Sequence, residues 1–231
     1  MLHFQSLSEV CAVSDSSSGL EYLGDTVSGR LVLDTSQTGT KYGTFKRAQA
    51  GTLTTDESVF PGTGADFHGV SVCVKQAYYR NPNDTVTVHT GMEQAKQLLS
   101  EIQCLVWART LLDDVYAFVD ANIPRLGLDV ATARIPHMKF VEASLATSGD
   151  AVSTSTHHMQ SYLIEHQISP SVQVSTGREV RWRKYINNDS PAILAQFDTT
   201  ANDRAAFLAF SQHVQLVQTE GMAFVTDYQG E

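Results

Sequence analysis

The sequence has very little cysteine: among 231 residues there are only Cys11, Cys73 and Cys104. An odd and scattered set of this size excludes a disulfide framework, and no Cys-x-x-Cys or His-Glu-x-x-His run is present to hold zinc. Cys73 and Cys104 stand in apolar runs, where a thiol behaves as a small hydrophobic group. A chain of this length needs no covalent staple, because it can bury a sizeable core.

Basic residues are also scarce. There are 16 Lys and Arg against 25 Asp and Glu, which gives a formal net charge of −9. Binding to nucleic acid depends on clustered cations, so this balance argues against a nucleic-acid partner. A small anion such as a nucleotide remains compatible, because it needs only one or two local cations.

Long apolar runs are missing, and no stretch approaches the roughly 20 residues of a membrane-spanning helix. The start of the chain, Met1–Gln5, has no basic region followed by an apolar block, so no secretory signal is predicted. We therefore expect a cytoplasmic protein that does not bind membranes. The hydrophobic fraction of 42% and charged fraction of 18% are typical of a globular chain.

Three nucleotide-binding or hydrolase signatures are absent as well. The sequence contains no Gly-x-x-x-x-Gly-Lys-Ser/Thr loop and no Gly-x-Gly-x-x-Gly. P-loop and Rossmann folds therefore lack their defining loops. No Gly-x-Ser-x-Gly elbow supports a serine hydrolase either.

Hydrophobic periodicity predicts one long helix, over residues 92–121, which ends at Asn122-Ile123-Pro124. A second helix is predicted over residues 202–215, and residues 81–92 read as a polar loop. Alternating or β-branched runs predict the strands Thr44–Ala50, between Gly43 and Gly51, Val70–Lys75, Lys139–Leu145, Ser161–Gln167, Val172–Ser175 and Met222–Thr226.

This order of elements favours an α+β fold, in which one long helix packs on an antiparallel sheet. It does not suit a regular βαβ alternation. We expect a single domain over residues 1–231, with a first lobe at about residues 20–168 and a second from about 169 to 231.

Lys75 and Glu101 are the first candidates for chemistry. Lys75 ends the apolar strand, so the strand would fix its ammonium where apolar surroundings strengthen a phosphate contact. Glu101 flanks the apolar stripe of the long helix and could pair with Lys75. Each also has a plain interpretation, Lys75 as the point where a strand meets water and Glu101 as a solvated helix residue.

Three weaker candidate groups accompany them. Lys46 lies on a strand between two glycines, which let backbone amides approach an anion but are equally typical of a hairpin. Lys184–Asn188 is a compact polar cluster that could also be a turn. Asp227 and Gln229 offer oxygen ligands suited to Mg²⁺ after a predicted strand, where an ordinary turn is the alternative.

Taken in order, these segments resemble the atypical alpha-type protein kinases, the family of myosin heavy chain kinase and elongation factor 2 kinase. The resemblance covers roughly residues 40–230. Its most specific parts are Lys-Tyr-x-Asn-Asn and Asp-x-Gln-Gly. The segments that carry it are Gly43–Ala48, Val72–Lys75, the helix with Glu101, Tyr162–Glu165, Lys184–Asn188, Phe210–His213 and Val225–Gly230.

The resemblance implies a two-lobed, kinase-like fold and a role for each matching residue. Lys75 matches the lysine that contacts ATP phosphates, with Glu101 as its helix partner. Lys46 stands where the family has an arginine in its phosphate loop. The remaining matches are Glu165 beside the adenine, Lys184 and Asn188 in the polar loop of the active site, Asp227 and Gln229 as the Mg²⁺ and phosphate contacts, and His213 as a ligand of a structural zinc.

The implied activity is transfer of the ATP γ-phosphate to a serine or threonine hydroxyl of a protein substrate, with ATP and Mg²⁺ bound and with Lys75, Lys184 and Asp227 as catalytic residues. Family members continue past Asp-x-Gln-Gly to an Asp-Pro pair and to zinc-binding cysteines, whereas this sequence ends at Glu231. The second lobe and its zinc site are therefore expected to be incomplete. The alternative is an inactive pseudokinase that binds a nucleotide or a protein.

Overall fold

The computed structural model describes residues 28–34, 40–55, 69–128, 133, 135–148, 160–168, 182–194 and 199–230. Within them the α+β prediction is confirmed: strands form an antiparallel sheet, and two helices are long. No helix among these residues is both long and apolar enough to span a bilayer. The predicted strand Val172–Ser175 lies outside the described residues.

The elements follow one another in the chain as β1 (Gly29–Leu33), β2 (Lys41–Tyr42), β3 (Lys46–Thr55), β4 (Val70–Arg80), β5 (Val86–Val88), α1 (Gly91–Asn122), β6 (Ala143–Ser148), β7 (Gln160–His166), β8 (Arg183–Lys184), α2 (Thr199–Gln218) and β9 (Gln229–Gly230). A short 3₁₀ helix, Pro124–Leu126, follows α1. The large sheet has the strand order β1-β3-β4-β7-β6, with β2 paired to β3 and β5 to β4. β8 and β9 form a separate ribbon.

The described residues divide into two compact units. The first unit takes in those between 28 and 106 and between 141 and 168, and so contains the large sheet and the start of α1. The second unit takes in those between 107 and 140 and from 182 onward, with the rest of α1, α2 and the β8–β9 ribbon. Each unit has its own buried clusters.

Both faces of the large sheet are covered by apolar residues. One face packs Leu53, Val72, Val74 and Ile164 together. The other packs against α1, where buried Leu98 meets the sheet residues Ala77, Ala143 and Leu163. Alternation along the strands places Lys46, Lys75 and Glu165 on the side of the sheet that faces α1.

Side-chain hydrogen bonds fix the start of α1. Thr90 and Glu93 form a capping pair, in which the Thr90 backbone N–H and hydroxyl donate to the Glu93 carboxylate at 3.1 and 2.9 Å. These bonds from Thr90 lower the pKa of Glu93. One turn on, buried Gln94 accepts a hydrogen bond from the backbone N–H of Ser161 on β7, at 2.9 Å. The helix is therefore held in a defined register against the sheet.

Several predicted elements match the structure closely. The helix predicted over 92–121 is α1, the one over 202–215 is the centre of α2, and the strand Ser161–Gln167 is β7 displaced by one residue. β3 and β4 are longer than predicted, and β3 runs through Gly51 instead of ending before it. A Cβ at Gly51 would lie 3.1 Å from the Val32 carbonyl oxygen, so glycine serves close strand packing at this position.

Three predicted elements differ from the structure. Residues 81–92 are not all loop, because β5 forms a hairpin with the end of β4. The strand predicted at Lys139–Leu145 begins only at Ala143, since Met138 and Phe140 pack on the clusters of the second unit. The Tyr116 hydroxyl accepts a hydrogen bond from the Met138 backbone at 2.7 Å and holds that segment outside the sheet.

The third error is the strand predicted at Met222–Thr226, which is irregular. Two buried glutamines of α2 take the place of a strand partner there. The Gln212 side chain donates to the Val225 carbonyl at 2.8 Å, and the Val225 N–H donates to the Gln215 side chain at 2.9 Å. Because these side chains bond the backbone N–H and C=O of Val225, those groups do not need a neighbouring strand as partner.

Buried Tyr228 connects this segment to α2, and we expect it to make the folded state less stable at alkaline pH. Burial raises the pKa of Tyr228, while its hydrogen bonds with Ser211 and Gln215 act in the opposite direction. Above pH about 10 the unfolded chain loses this phenolic proton while the folded chain retains it, so stability falls as pH rises through the folded pKa. Tyr228→Phe should cost about 0.5–1.5 kcal/mol at neutral pH and should flatten the alkaline decline.

Denaturant unfolding at several pH values between 7 and the alkaline range checks this expectation. Tyr42→Phe is the control, because it removes a phenol from a half-exposed position. Its stability should fall with rising pH as steeply as that of the wild type. If the stability of Tyr228→Phe falls with rising pH as steeply as that of the wild type, Tyr228 is not the cause of the alkaline decline.

Candidate functional site: a charged face and a ribbon cluster

The candidate site residues form two groups, one in each unit. The charged face consists of Lys46, Lys75, Glu101 and Glu165 on the helix-facing side of the large sheet. The ribbon cluster consists of Lys184, Asp227 and Gln229 at the β8–β9 ribbon. Asn188 and His213 belong to the second unit and are exposed.

Strand register places the members of the charged face. Lys75 of β4 is opposite Ala48 of β3, and Lys46 lies two residues along β3 on the same side. Diagonal neighbours of this kind are about 7–8 Å apart between Cα atoms, so both ammonium groups can reach one polyphosphate. On the other flank of β4, Glu165 of β7 is opposite Cys73. The four charged residues therefore share one surface of the sheet and its helix.

Two ion pairs organise the charged face. The Lys75 ammonium lies 2.7 Å from Oε1 and 2.6 Å from Oε2 of Glu165. The Lys46 ammonium is paired with the Glu101 carboxylate of α1. The side chain of Glu165 is only 13% exposed, whereas that of Glu101 is 38% exposed. The first pair is therefore the better shielded from solvent.

This pairing differs from the predicted one. The sequence predicts a pair between Glu101 and Lys75, but in the structure Glu101 holds Lys46 and Lys75 is held by Glu165. The reason is register: Glu165 lies on β7, directly beside the strand β4 that carries Lys75, while Glu101 of α1 reaches Lys46 of β3. Both lysines are nevertheless held by carboxylates on rigid elements.

Cys73 and Lys41 belong to the same surface and were not among the predicted site residues. Cys73 precedes Lys75 by two residues, and burial raises the pKa of its thiol while Lys75 acts in the opposite direction. Lys41 of β2 is opposite Ala48, and its charge also acts on Cys73. With three lysines and two glutamates, the formal charge of this surface is 3 − 2 = +1. The period-two pattern Cys73, Lys75, Ala77 was the signal in the sequence that could have placed Cys73 here.

The ribbon cluster brings three of the predicted residues together. Lys184 of β8 is opposite Gln229 of β9, and its ammonium lies 2.6 Å from the Asp227 carboxylate. Tyr185 and Ile186, which follow Lys184, are buried in the core of the second unit and anchor the ribbon. Asp227 has a left-handed backbone with φ of 57°, a conformation that aspartate tolerates better than most residues.

The oxygen-bearing side chains of the ribbon cluster are of the kind that binds Mg²⁺. Asp227 supplies a carboxylate and Gln229 an amide oxygen, and Mg²⁺ in nucleotide sites is usually held by one or two carboxylates together with phosphates and water. Lys184 competes for the Asp227 carboxylate in the structure. A bound cation would therefore share or replace that ion pair.

The described residues around His213 offer no comparable set of ligands for zinc. His213 lies beside an apolar groove of about 280 Å³ whose other lining residues are Phe118, Phe210, Val214, Val217 and Gln218. Within the described part of the chain, no three His, Cys, Asp or Glu side chains are grouped so that they could hold a metal. The described surroundings of His213 therefore do not fit a structural zinc.

Comparisons with protein-family models, with curated proteins and with solved structures were made for the whole chain, and none of them gives a match.

Proposed function

We propose that the chain is an alpha-kinase-type domain that binds ATP and transfers its γ-phosphate to a serine or threonine hydroxyl of a protein. The observation that carries this proposal is the charged face, where Lys46 and Lys75 lie on neighbouring strands and each is oriented by a carboxylate. The order of the matching sequence segments supports the same assignment. The α+β fold with a long helix on an antiparallel sheet is compatible with it.

The chemistry explains why two strand lysines matter. Phosphoryl transfer requires little covalent work from the protein, so its catalysis is mainly positioning and neutralisation of charge. A lysine ammonium has three donors. With one or two of them on a glutamate, each lysine can still donate to a phosphate oxygen. The strands fix where these donors are, which reduces the ordering cost of binding.

In this proposal Asp227 and Gln229 hold Mg²⁺, and Lys184 supplies positive charge beside them. Mg²⁺, when bound, neutralises phosphate charge during transfer. Glu165 and Asn188 are assigned to nucleotide contacts by the resemblance alone. Lys184 is assigned to the reacting phosphate on the same basis.

A second candidate is a module that binds a nucleotide without transferring phosphate. The Lys184–Asp227 ion pair favours it, because the ammonium at 2.6 Å occupies the carboxylate that a metal would need. Under this alternative the charged face still binds ATP. The two candidates therefore share a binding prediction and differ in turnover.

Calorimetry with Mg-ATP and with adenosine, followed by transfer of radiolabelled γ-phosphate to a basic protein substrate, tests the proposal. The kinase predicts binding of Mg-ATP that adenosine does not reproduce, together with transfer that is lost in Lys75→Ala. Binding without transfer would select the non-catalytic module. Failure to bind Mg-ATP would overturn both.

A further inference from the structure

We infer that Glu165 is a specificity-determining residue of the phosphate site: by holding Lys75 it lowers the affinity for phosphate ligands and selects for ligands of high negative charge. This inference rests on the proposed function, because it concerns ligands bound at the charged face. It assigns Glu165 a role opposed to ligand binding, whereas the resemblance places it beside the adenine.

The geometry of the pair is the first step. Both oxygens of Glu165 lie within 2.7 Å of the Lys75 ammonium, so the whole carboxylate is engaged with this one lysine. The side chain of Glu165 is only 13% exposed. On the two strands that flank β7, the residues opposite Glu165 are Cys73 of β4 and Ala143 of β6. Their side chains are poor hydrogen-bond partners for a carboxylate.

The consequence for a ligand follows from electrostatics. A phosphate oxygen that draws the ammonium toward itself weakens the Lys75–Glu165 pair and leaves a poorly hydrated carboxylate close to a second anion. Both effects oppose binding. A polyphosphate compensates for them, because it also engages Lys46 and Lys41, whereas a ligand with one phosphate does so less well.

Glu101 provides an internal comparison. It pairs with Lys46 through Oε2, but its side chain is 38% exposed, so water can solvate the carboxylate when the lysine turns to a ligand. Neutralising Glu101 should therefore change affinity less than neutralising Glu165. The two substitutions are matched in chemistry and differ in the burial of the carboxylate.

The experiment is calorimetric titration of the wild type, Glu165→Gln and Glu101→Gln with Mg-ATP, tripolyphosphate and adenosine. Glu165→Gln should bind Mg-ATP and tripolyphosphate roughly three- to tenfold more tightly than the wild type. Glu101→Gln should differ from the wild type by less than about twofold. Adenosine carries no phosphate, so its binding should not respond to either substitution. A change in Glu165→Gln would place Glu165 beside the adenine, as the resemblance implies, and would contradict the inference. Asp120→Asn, at an exposed position of α1, is the charge-matched control and should behave as the wild type.

The outcomes separate the inference from the proposed function. Wild-type binding of Mg-ATP with equal or weaker binding by Glu165→Gln would overturn the inference and leave the proposed function standing. No binding by any variant would overturn both. Glu165→Met, which also removes the charge, replaces Glu165→Gln if thermal melting shows that the latter is unfolded, and the same increase is expected of it.

Discussion

Lys75→Ala is expected to weaken the binding of Mg-ATP by about 1–3 kcal/mol, the usual cost of losing a charge-assisted hydrogen bond to phosphate. Lys75 lies on the central strand β4, where it is positioned by pairing with both β3 and β7. Lys184→Ala should have a smaller effect on binding, because the proposal places Lys184 at the reacting phosphate. Calorimetry of the three proteins measures the differences.

The same substitution should also lower stability. Removing Lys75 leaves the largely buried carboxylate of Glu165 without its cation, for which we expect a loss of about 1–3 kcal/mol in the free energy of unfolding. The double variant Lys75→Ala/Glu165→Ala should regain much of this stability and still bind Mg-ATP weakly. Lys96→Ala, at an exposed position on α1, is the control for loss of a lysine. Wild-type affinity in Lys75→Ala would remove Lys75 from the site.

Leu98→Ala should give the largest loss of stability among these variants. Leu98 of α1 is fully buried and packs against Ala77, Ala143 and Leu163 of the sheet. Truncating a buried leucine removes its burial energy and leaves a cavity, at a cost of about 2–5 kcal/mol. Denaturant unfolding measures the change.

The matched control is Leu126→Ala in the 3₁₀ helix, where the leucine is 72% exposed. It should change the free energy of unfolding by less than about 0.5 kcal/mol. Equal losses in the two variants would contradict the packing of α1 on the sheet.

The long elements were predictable from the sequence because each has a strong local pattern. The apolar stripe of α1 and the β-branched run of β4 need no tertiary information. The short and irregular parts depend on partners that are distant in sequence. The segment from Met222 to Thr226 reads as a strand, yet glutamine side chains of α2 satisfy its backbone.

The grouping of the four charged residues was more predictable than the ion pairs that they form. Lys46, Lys75, Glu101 and Glu165 were all singled out, and the structure gathers them on one face. Which carboxylate holds which lysine depends on the β4–β7 register and on how α1 packs on the sheet, and neither is encoded in a local pattern. The roles of Asn188 and His213 rest on the resemblance, and the described structure adds no partner that would define them.

The central claim is that the ammonium groups of the charged face bind the phosphates of ATP. The most direct measurement is labelling with an acyl phosphate of ATP, which acylates lysines beside the bound phosphates, followed by mass-spectrometric peptide mapping. If these lysines bind the phosphates, Lys46 and Lys75 should be labelled and excess Mg-ATP should suppress that labelling, while Lys96 and Lys139 should be labelled weakly and without competition. Labelling of Lys46 and Lys75 that matches Lys96 and is insensitive to Mg-ATP would contradict the central claim.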